Sequence, residues 1–377
     1  MQRIGFDAKR IVRNGTGLGS YGRTLVNDLA RYPINLRLYV PDMGRDDLRQ
    51  QITEAPNVEF CLPFSPSHHL PFSSSFWRSH GIINDLKRDN IQLFHGLSGE
   101  LPIGISKSGI KSVVTIHDLI FMRHPEFYHW LDSRIYTWKF RRTIQEADHI
   151  IAISECTKRD IMELGSVPES KITLIYQSCA QRFSAEADPA KINEVRALYG
   201  LPQRYILNVG SIEARKNILL AVRALPQLPA DVSLVIVGRR TAYTAEVERY
   251  VSQQGLDDRV KMLHGVPDEH LPSLYGGAEA FVYPSIYEGF GIPIIEAIRC
   301  GLPVVACSGS CLEEAGGPAS LYVSPNDVDS MANALRRSLK GADRREARIE
   351  ASRDYIHRFD GRDVADQVVE LYNRLLS

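Results

Sequence analysis

The chain has no Cys-x-x-Cys. Its six cysteines stand apart at 61, 156, 179, 300, 307 and 311, and Cys307 with Cys311 lacks partner ligands at zinc-site spacing. That weighs against a disulfide framework and fits reduced thiols in a cytosolic protein. Long apolar runs are missing as well, since none approaches the ~20 residues of a membrane-crossing helix. The N-terminus passes from Met1-Gln2-Arg3 into Ile4-Gly5-Phe6-Asp7 with no apolar signal region. Neither sign of charge is in excess, because 45 Lys plus Arg balance 45 Asp plus Glu. A nucleic-acid binder would be basic, so that class loses weight. Metal-ligand patterns are scarce too. His68, His69, His95, His124 and His129 have no ligand spacing. Asp327-Val328-Asp329 opens a helical stretch, so Asp327 reads as a cap, and no bound metal is indicated.

What the sequence has is length and alternation. Its 377 residues suffice for two domains with full cores. Short apolar runs alternate with amphipathic stretches, which predicts parallel α/β architecture. Strands are expected at 3–6, 36–40, 91–95, 112–117, 149–153 and 172–176, and again at 205–209, 232–237, 260–263, 280–283 and 303–306. Helical patterns lie between them, including 21–31, 76–88, 127–147, 156–164, 218–225, 245–254, 271–276 and 293–300. The expected division is an N-terminal domain over 1–177, a linker over 178–192 and a second domain over 193–358. A last helix over 359–377 packs on either domain by pattern alone.

In open α/β sheets ligands bind beyond the carboxyl ends of strands, and the chemically interesting residues follow strands directly. Glu288 and Glu296 stand eight apart in Tyr-Glu-Gly-Phe-Gly-Ile-Pro-Ile-Ile-Glu. Pro293 suits a first helical position and Gly301 a stop. Glu288 is then on the loop and Glu296 in the first turn of the helix. The helix start is an anion site, and carboxylates beside it can accept hydroxyls. A nucleotide-sugar fits that pair. The bland reading is a dipole-complementing Glu296 and a solvated Glu288. Gly210, Arg215 and Lys216 follow strand 205–209, and Gly238 follows 232–237. Arg215 offers a fork and Lys216 a point charge, enough to neutralise a diphosphate without a metal; a plain surface pair is the alternative.

His117 ends strand 112–117 and could donate to a sugar hydroxyl or stabilise a leaving group, or be a packed structural histidine. Gly17-x-Gly19-x-x-Gly22 resembles a dinucleotide turn, but about ten residues separate it from Phe6. A flexible glycine loop bringing backbone N–H groups and a helix N-terminus against a phosphate or sugar is the better reading. The stretch 127–147 mixes Trp130, Tyr136, Trp138 and Phe140 with Lys139, Arg141 and Arg142. It reads either as a membrane interface or, preferably, as a helix packed by its aromatics with a solvated basic face.

Together these segments resemble the retaining glycosyltransferases of family GT4. The resemblance rests on Gly-Thr-Gly-Leu-Gly-Ser-Tyr (15–21), Val-Val-Thr-Ile-His-Asp (113–118), Asn-Val-Gly-Ser-Ile-Glu-Ala-Arg-Lys-Asn (208–217), Val-Pro-Asp-Glu-His-Leu-Pro-Ser-Leu-Tyr (266–275) and the two glutamates. It covers most of the chain and departs at Tyr176-Gln177-Ser178, where the family more often has Asn-Gly. It implies the GT-B fold, two doubly wound Rossmann-like domains facing a central cleft, with no cofactor and no required metal. Arg215 and Lys216 would hold the donor diphosphate, Glu296 the ribose and Glu288 the transferred sugar. Phe290, Gly291 and Ile292 would offer backbone N–H groups. Gly17 and Gly19 would approach the β-phosphate, His117 the sugar or leaving group, and Val266 the base. The implied partners are a nucleotide-sugar donor, GDP-mannose before UDP-glucose, and a glycan or lipid-linked acceptor in bacterial surface polysaccharide synthesis. No nucleic acid is implied. The implied location is cytoplasmic, with a peripheral contact at the inner face of the membrane as the second reading of 127–147. An epimerase on the same fold and a non-catalytic partner subunit are the rival functions.

Overall fold

Runs such as Val-Ser-Leu-Val-Ile-Val are apolar on both faces, so they pair only where helices cover both sides of a sheet. The computed structural model shows this arrangement twice. It describes residues 1–64, 76–183 and 188–377; His68, His69 and residues 184–187 of the expected linker lie outside the described residues. The chain divides into one unit of Met1–Ser178 with Phe359–Ser377 and another of Cys179–Arg358.

In the first unit seven strands form a parallel sheet in the order β3-β2-β1-β4-β5-β6-β7. They are β1 Gln2–Asp7, β2 Ile34–Tyr39, β3 Val58–Cys61, β4 Leu93–Gly96, β5 Lys111–Ile116, β6 His149–Ala152 and β7 Ile172–Leu174. The expectation lacked β3. Its Val-Glu-Phe-Cys alternates and stays half-exposed, which is how a short edge strand is written and easily mistaken for loop. Strand order reverses between β1 and β4, so the crevice beyond their carboxyl ends is the topological switch point.

The glycine segment is the main correction in this unit. A short helix, Lys9–Arg13, follows β1 and accounts for the ten intervening residues. Gly17, Gly19 and Gly22 then lie in the helix Gly17–Leu29, which starts at the first glycine, so the expected loop is shortened to residues 14–16. Close packing explains two of them. A Cβ on Gly19 would meet Asn14 O at 1.8 Å, and one on Gly22 would meet Ile11 Cγ1 at 2.8 Å. Buried Arg23 fastens the same turn by donating to Ile11 O at 2.8 Å and Asn14 O at 3.0 Å.

The helix Gly361–Leu376 joins this unit. Its apolar face buries Val364, Ala365, Val368, Leu371 and Tyr372 in the core that contains Ile4, Phe6 and Leu25. Tyr372 Oη lies 2.6 Å from His95 Nδ1, and Tyr32 Oη donates to Asp366 at 2.8 Å.

The second unit has six parallel strands in the order β10-β9-β8-β11-β12-β13. They are β8 Arg204–Val209, β9 Val232–Val237, β10 Val260–Leu263, β11 Ala280–Tyr283, β12 Val304–Cys307 and β13 Leu321–Val323. The expectation lacked β13, a three-residue edge strand. The helix Pro189–Tyr199, capped by the Asp188 carboxylate accepting from Ala190 N at 2.9 Å, starts inside the span expected as linker. Here the order reverses between β8 and β11, and the segments bearing Arg215, Lys216 and Glu288 leave those two strands.

Four sizeable side chains of the C-terminal helix (Val364, Val368, Leu371 and Tyr372) are almost wholly buried. At roughly 1.5–3 kcal/mol each, their burial rivals the ~5–15 kcal/mol that stabilises a whole domain. Truncation after Arg358 should therefore yield protein that aggregates on expression or loses its cooperative thermal transition in circular dichroism.

Candidate functional site

Two glycines let the loops beyond the second sheet come together. Gly210 ends β8 with a φ of +156°, and a Cβ on Gly238, just after β9, would lie 1.8 Å from Gly210 O. The chain then makes a tight turn, Ala214–Lys216. Asn217 closes it in the left-handed region at φ +52°, its side chain donating to Pro325 O at 2.9 Å. Ile286 N donates to Arg215 O at 2.9 Å and ties this turn to the segment following β11.

The result is a buried triad of charges. Lys216 Nζ lies 2.5 Å from Glu288 Oε1 and donates to Tyr283 Oη at 2.6 Å. Arg215 Nη1 lies 2.9 Å from Glu288 Oε2 and donates to Tyr287 O at 2.6 Å. The three charged side chains are 11–15% exposed. Burial by itself would raise the Glu288 carboxyl, but Lys216 and Arg215 outweigh it and hold the group down at about 2. Burial works against the Lys216 cation, yet Glu288 and Tyr283 raise its pKa above the usual lysine range. Burial pushes the Tyr283 phenol up to about 12, Glu288 adding to the shift and Lys216 opposing it.

Beyond Glu288 the chain reaches Gly291, which caps the helix Ile292–Arg299 with a φ of +132°. A Cβ there would be 3.2 Å from both Ala315 Cβ and Leu312 Cδ2. Because Gly291 takes the cap, the helix begins at Ile292, ahead of Pro293. Glu296 is consequently its fifth residue, in the second turn and not the first. The first-turn N–H groups of a helix have no intrahelical partner and face the capping loop, whereas Glu296 stands a turn away. Tyr275 Oη donates to Glu296 Oε2 at 2.9 Å. Burial raises the Glu296 carboxyl to about 7, with the Tyr275 hydrogen bond opposing. Phe290 is buried, and its carbonyl accepts from Cys311 Sγ at 2.7 Å. Val266 is half-buried in the turn after β10. Among the described residues no group of three His, Cys, Asp or Glu could hold a metal ion, and Asp327 caps its helix by accepting from Ser330 N.

In the first unit His117 follows β5, as expected, and both ring nitrogens are engaged. Nε2 lies 2.8 Å from Leu97 O, and Nδ1 lies 2.8 Å from Gln177 Nε2. Tyr21 packs edge-on at 4.8 Å. Burial lowers the imidazole to about 4, so it is neutral at pH 7. Tyr283, Tyr275 and Gln177 were not on the sequence's candidate list. Tyr283 ends a strand one residue before the loop, a position that could have flagged it. Gln177 directly follows the expected strand 172–176 and Tyr275 ends the segment 266–275, but only packing brings them to His117 and Glu296.

Two doubly wound parallel units, one with Arg215, Lys216 and Glu288 gathered at its switch point, are those of a GT-B glycosyltransferase. Two family models match: glycosyl transferases group 1 over residues 193–355 and glycosyltransferase family 4 over 15–178. The chain is 32% identical over 289 residues to the O-antigen chain mannosyltransferase B of Escherichia coli, spanning 75% of this chain and 74% of the relative. It is 28% identical over 250 residues to the O-antigen chain mannosyltransferase RfbU of Salmonella typhimurium, spanning 66% of each. The chain belongs to the group 1 glycosyltransferases of family 4. Its fold is shared with sucrose-phosphate synthase from Thermosynechococcus elongatus (TM-score 0.78, 22% identity, 100% of this chain and 99% of that one). It is shared also with Anabaena HepE in complex with UDP and glucose (TM-score 0.75, 18% identity, 99% and 100%).

The Glu288 pairing gives a stability test with a defined sign. The carboxyl sits at about 2 in the folded chain against 4.5 unperturbed. It therefore contributes stability in full above about 4.5 and loses it as the pH falls toward about 2. The pairing is worth about 3 kcal/mol at neutral pH. Glu288→Gln should cost up to that much at pH 7 and clearly less at pH 3.5 in urea denaturation. An equal cost at both would mean that the two cations do not hold the carboxylate.

Proposed function

We propose that this protein transfers a hexose from a nucleoside diphosphate to a glycan or lipid-linked acceptor, with retention at the anomeric carbon and no required metal, in the synthesis of a bacterial surface polysaccharide. The observation that carries the reading is the Arg215–Lys216–Glu288 triad at the switch point of the second unit. Arg215 and Lys216 hold the donor diphosphate and stabilise the leaving group as negative charge develops on it. Their geometry is already fixed by Glu288 and Tyr283, so little reorganisation is needed. Glu288, ionised throughout the neutral range, accepts hydroxyls of the transferred sugar. The N–H groups of Phe290, Gly291 and Ile292 serve the sugar and phosphate. Glu296 accepts from the ribose, and Val266 lies toward the base. Mannose from GDP-mannose is the first choice of donor, in line with the O-antigen mannosyltransferases to which the chain is similar. Glucose from UDP-glucose comes next, in line with the solved HepE complex.

A thermal-shift panel of GDP-mannose, UDP-glucose, GDP, UDP and NAD, with and without EDTA, tests this directly. GDP-mannose at a hundredfold its dissociation constant should stabilise the protein by ~2.7 kcal/mol, with EDTA making no difference. Lys216→Ala should lower kcat by roughly a hundredfold or more, and Arg215→Ala should weaken the shift. A response to NAD alone would sink the proposal.

The acceptor side includes a membrane surface in this reading. In the helix Trp130–Glu146 only Phe140 of the aromatics is buried; Trp130 is 64% and Trp138 62% exposed, with Leu131 and Ile135 over 40% beside them. The preferred reading of a helix packed by its aromatics thus holds for Phe140 and for Tyr136, which meets Phe121 and Tyr128, but not for the two tryptophans. Lys139 pairs with Glu100 and Arg142 with Glu146, whereas Arg134 and Arg141 make no ion pair among the described residues. Exposed tryptophans flanked by uncompensated arginines suit an anionic bilayer. Among the described residues no helix is long and apolar enough to cross one. The protein should float with phosphatidylglycerol vesicles at low salt and not with neutral ones. At ~1 kcal/mol per cation, Arg134→Ala with Arg141→Ala should cut partitioning by tenfold or more. Indifference of the wild-type protein to anionic vesicles would refute the contact.

A further inference from the structure

We propose that Gln177 is a positioning residue for His117, holding its imidazole in the tautomer with the proton on Nε2. The proposal rests on the reading, implied by the family resemblance, that His117 lies beside the transferred sugar or leaving group. Strands β5, β6 and β7 are neighbours in the first sheet, so His117 after β5 and Gln177 beyond β7 emerge at the same carboxyl edge. Leu97, just beyond β4, faces the ring from the other side.

Each neighbour fixes one nitrogen. A backbone carbonyl only accepts, so Nε2, 2.8 Å from Leu97 O, carries a proton and donates it. An amide nitrogen only donates, so Nδ1, 2.8 Å from Gln177 Nε2, offers its lone pair. Reversing the Gln177 amide would set its oxygen against Nδ1 and require a second ring proton. The resulting imidazolium would be disfavoured by burial, and the neighbouring His95 is itself neutral and offers it no counter-charge. Tyr21, the other titratable neighbour, contributes only a ring edge, since its hydroxyl lies 3.0 Å from Thr115 Oγ1. Gln177 is 7% exposed, so water competes poorly for its amide. Thr157 Oγ1 donates to His117 O at 3.2 Å and fixes the backbone that carries the ring. With both nitrogens committed, the ring presents a neutral, immobile face. It neither delivers nor removes a proton as long as Gln177 holds it.

The test is ring-nitrogen NMR on full-length protein labelled with 15N-histidine, the His117 signal being assigned by its loss in His117→Ala. The wild-type protein should show a protonated Nε2 and a bare Nδ1 at pH 7, and a wild-type ring protonated on Nδ1 overturns the proposal without any variant. Gln177→Glu offers an acceptor in place of the donor and should protonate Nδ1. It should lower GDP release from GDP-mannose (or UDP release from UDP-glucose, if the donor panel selects it) at least tenfold at pH 7, with recovery at higher pH and a donor dissociation constant within about twofold. If Gln177→Glu moves neither the resonance nor turnover, Gln177 is not the positioning group. If His117→Ala turns over at the wild-type rate, the role of His117 itself falls and the proposal with it, an outcome separable from the previous one.

Discussion

Two cations and one carboxylate are buried together where β8 and β11 end, and much of the second unit is arranged around keeping them so. Each charge alone would lose several kcal/mol on leaving water. Together they are tolerable only because Glu288 lies within 3 Å of both Arg215 and Lys216, with Tyr283 and the Tyr287 carbonyl taking further donors. That geometry requires two loops from adjacent strands to touch. It therefore requires glycine at 210 and 238, a left-handed Asn217 and the backbone bond from Ile286 to Arg215. The triad keeps one net positive charge at the point where an open α/β sheet binds its ligand. This is a suitable electrostatic setting for an anionic diphosphate.

In the first unit His117 sits among neutral polar groups instead. Tyr372 of the C-terminal helix touches His95, His95 and Tyr21 both reach Thr115, and Tyr21 packs against His117, which Gln177 holds. Burial keeps both histidines uncharged at neutral pH. Such a network is strong when every member is satisfied and costly when one is lost. The last helix is thus more than a cover for apolar surface, because it supplies a hydroxyl to the same chain of hydrogen bonds.

Where the sequence was legible, strand and site obeyed the same rule. Apolar runs such as 232–237 and 260–263 became β9 and β10 with the expected bounds, and His117, Arg215, Lys216 and Glu288 followed strands directly. Legibility failed at edges and at packing. The strands β3 and β13 are short and half-solvated, so their patterns resemble loop. Gly17, Gly19 and Gly22 read as a flexible turn because glycine marks flexibility and close helix packing alike. Glu296 was placed one residue too early in its helix because the cap fell on Gly291, a choice that depends on contact with Leu312 and Ala315.

From its sequence alone, this protein's parallel α/β class, its family likeness and the segments that carry its charges were determined, since periodicity and residue order are local properties of the chain. Only the tertiary structure decided which partners those charges meet. Lys216 and Tyr283 are 67 positions apart, His117 and Gln177 are 60, and His95 and Tyr372 are 277. It also decided that Trp130 and Trp138 face outward. No local rule specifies such pairings, because they follow from strand order and from which side of each helix the core covers.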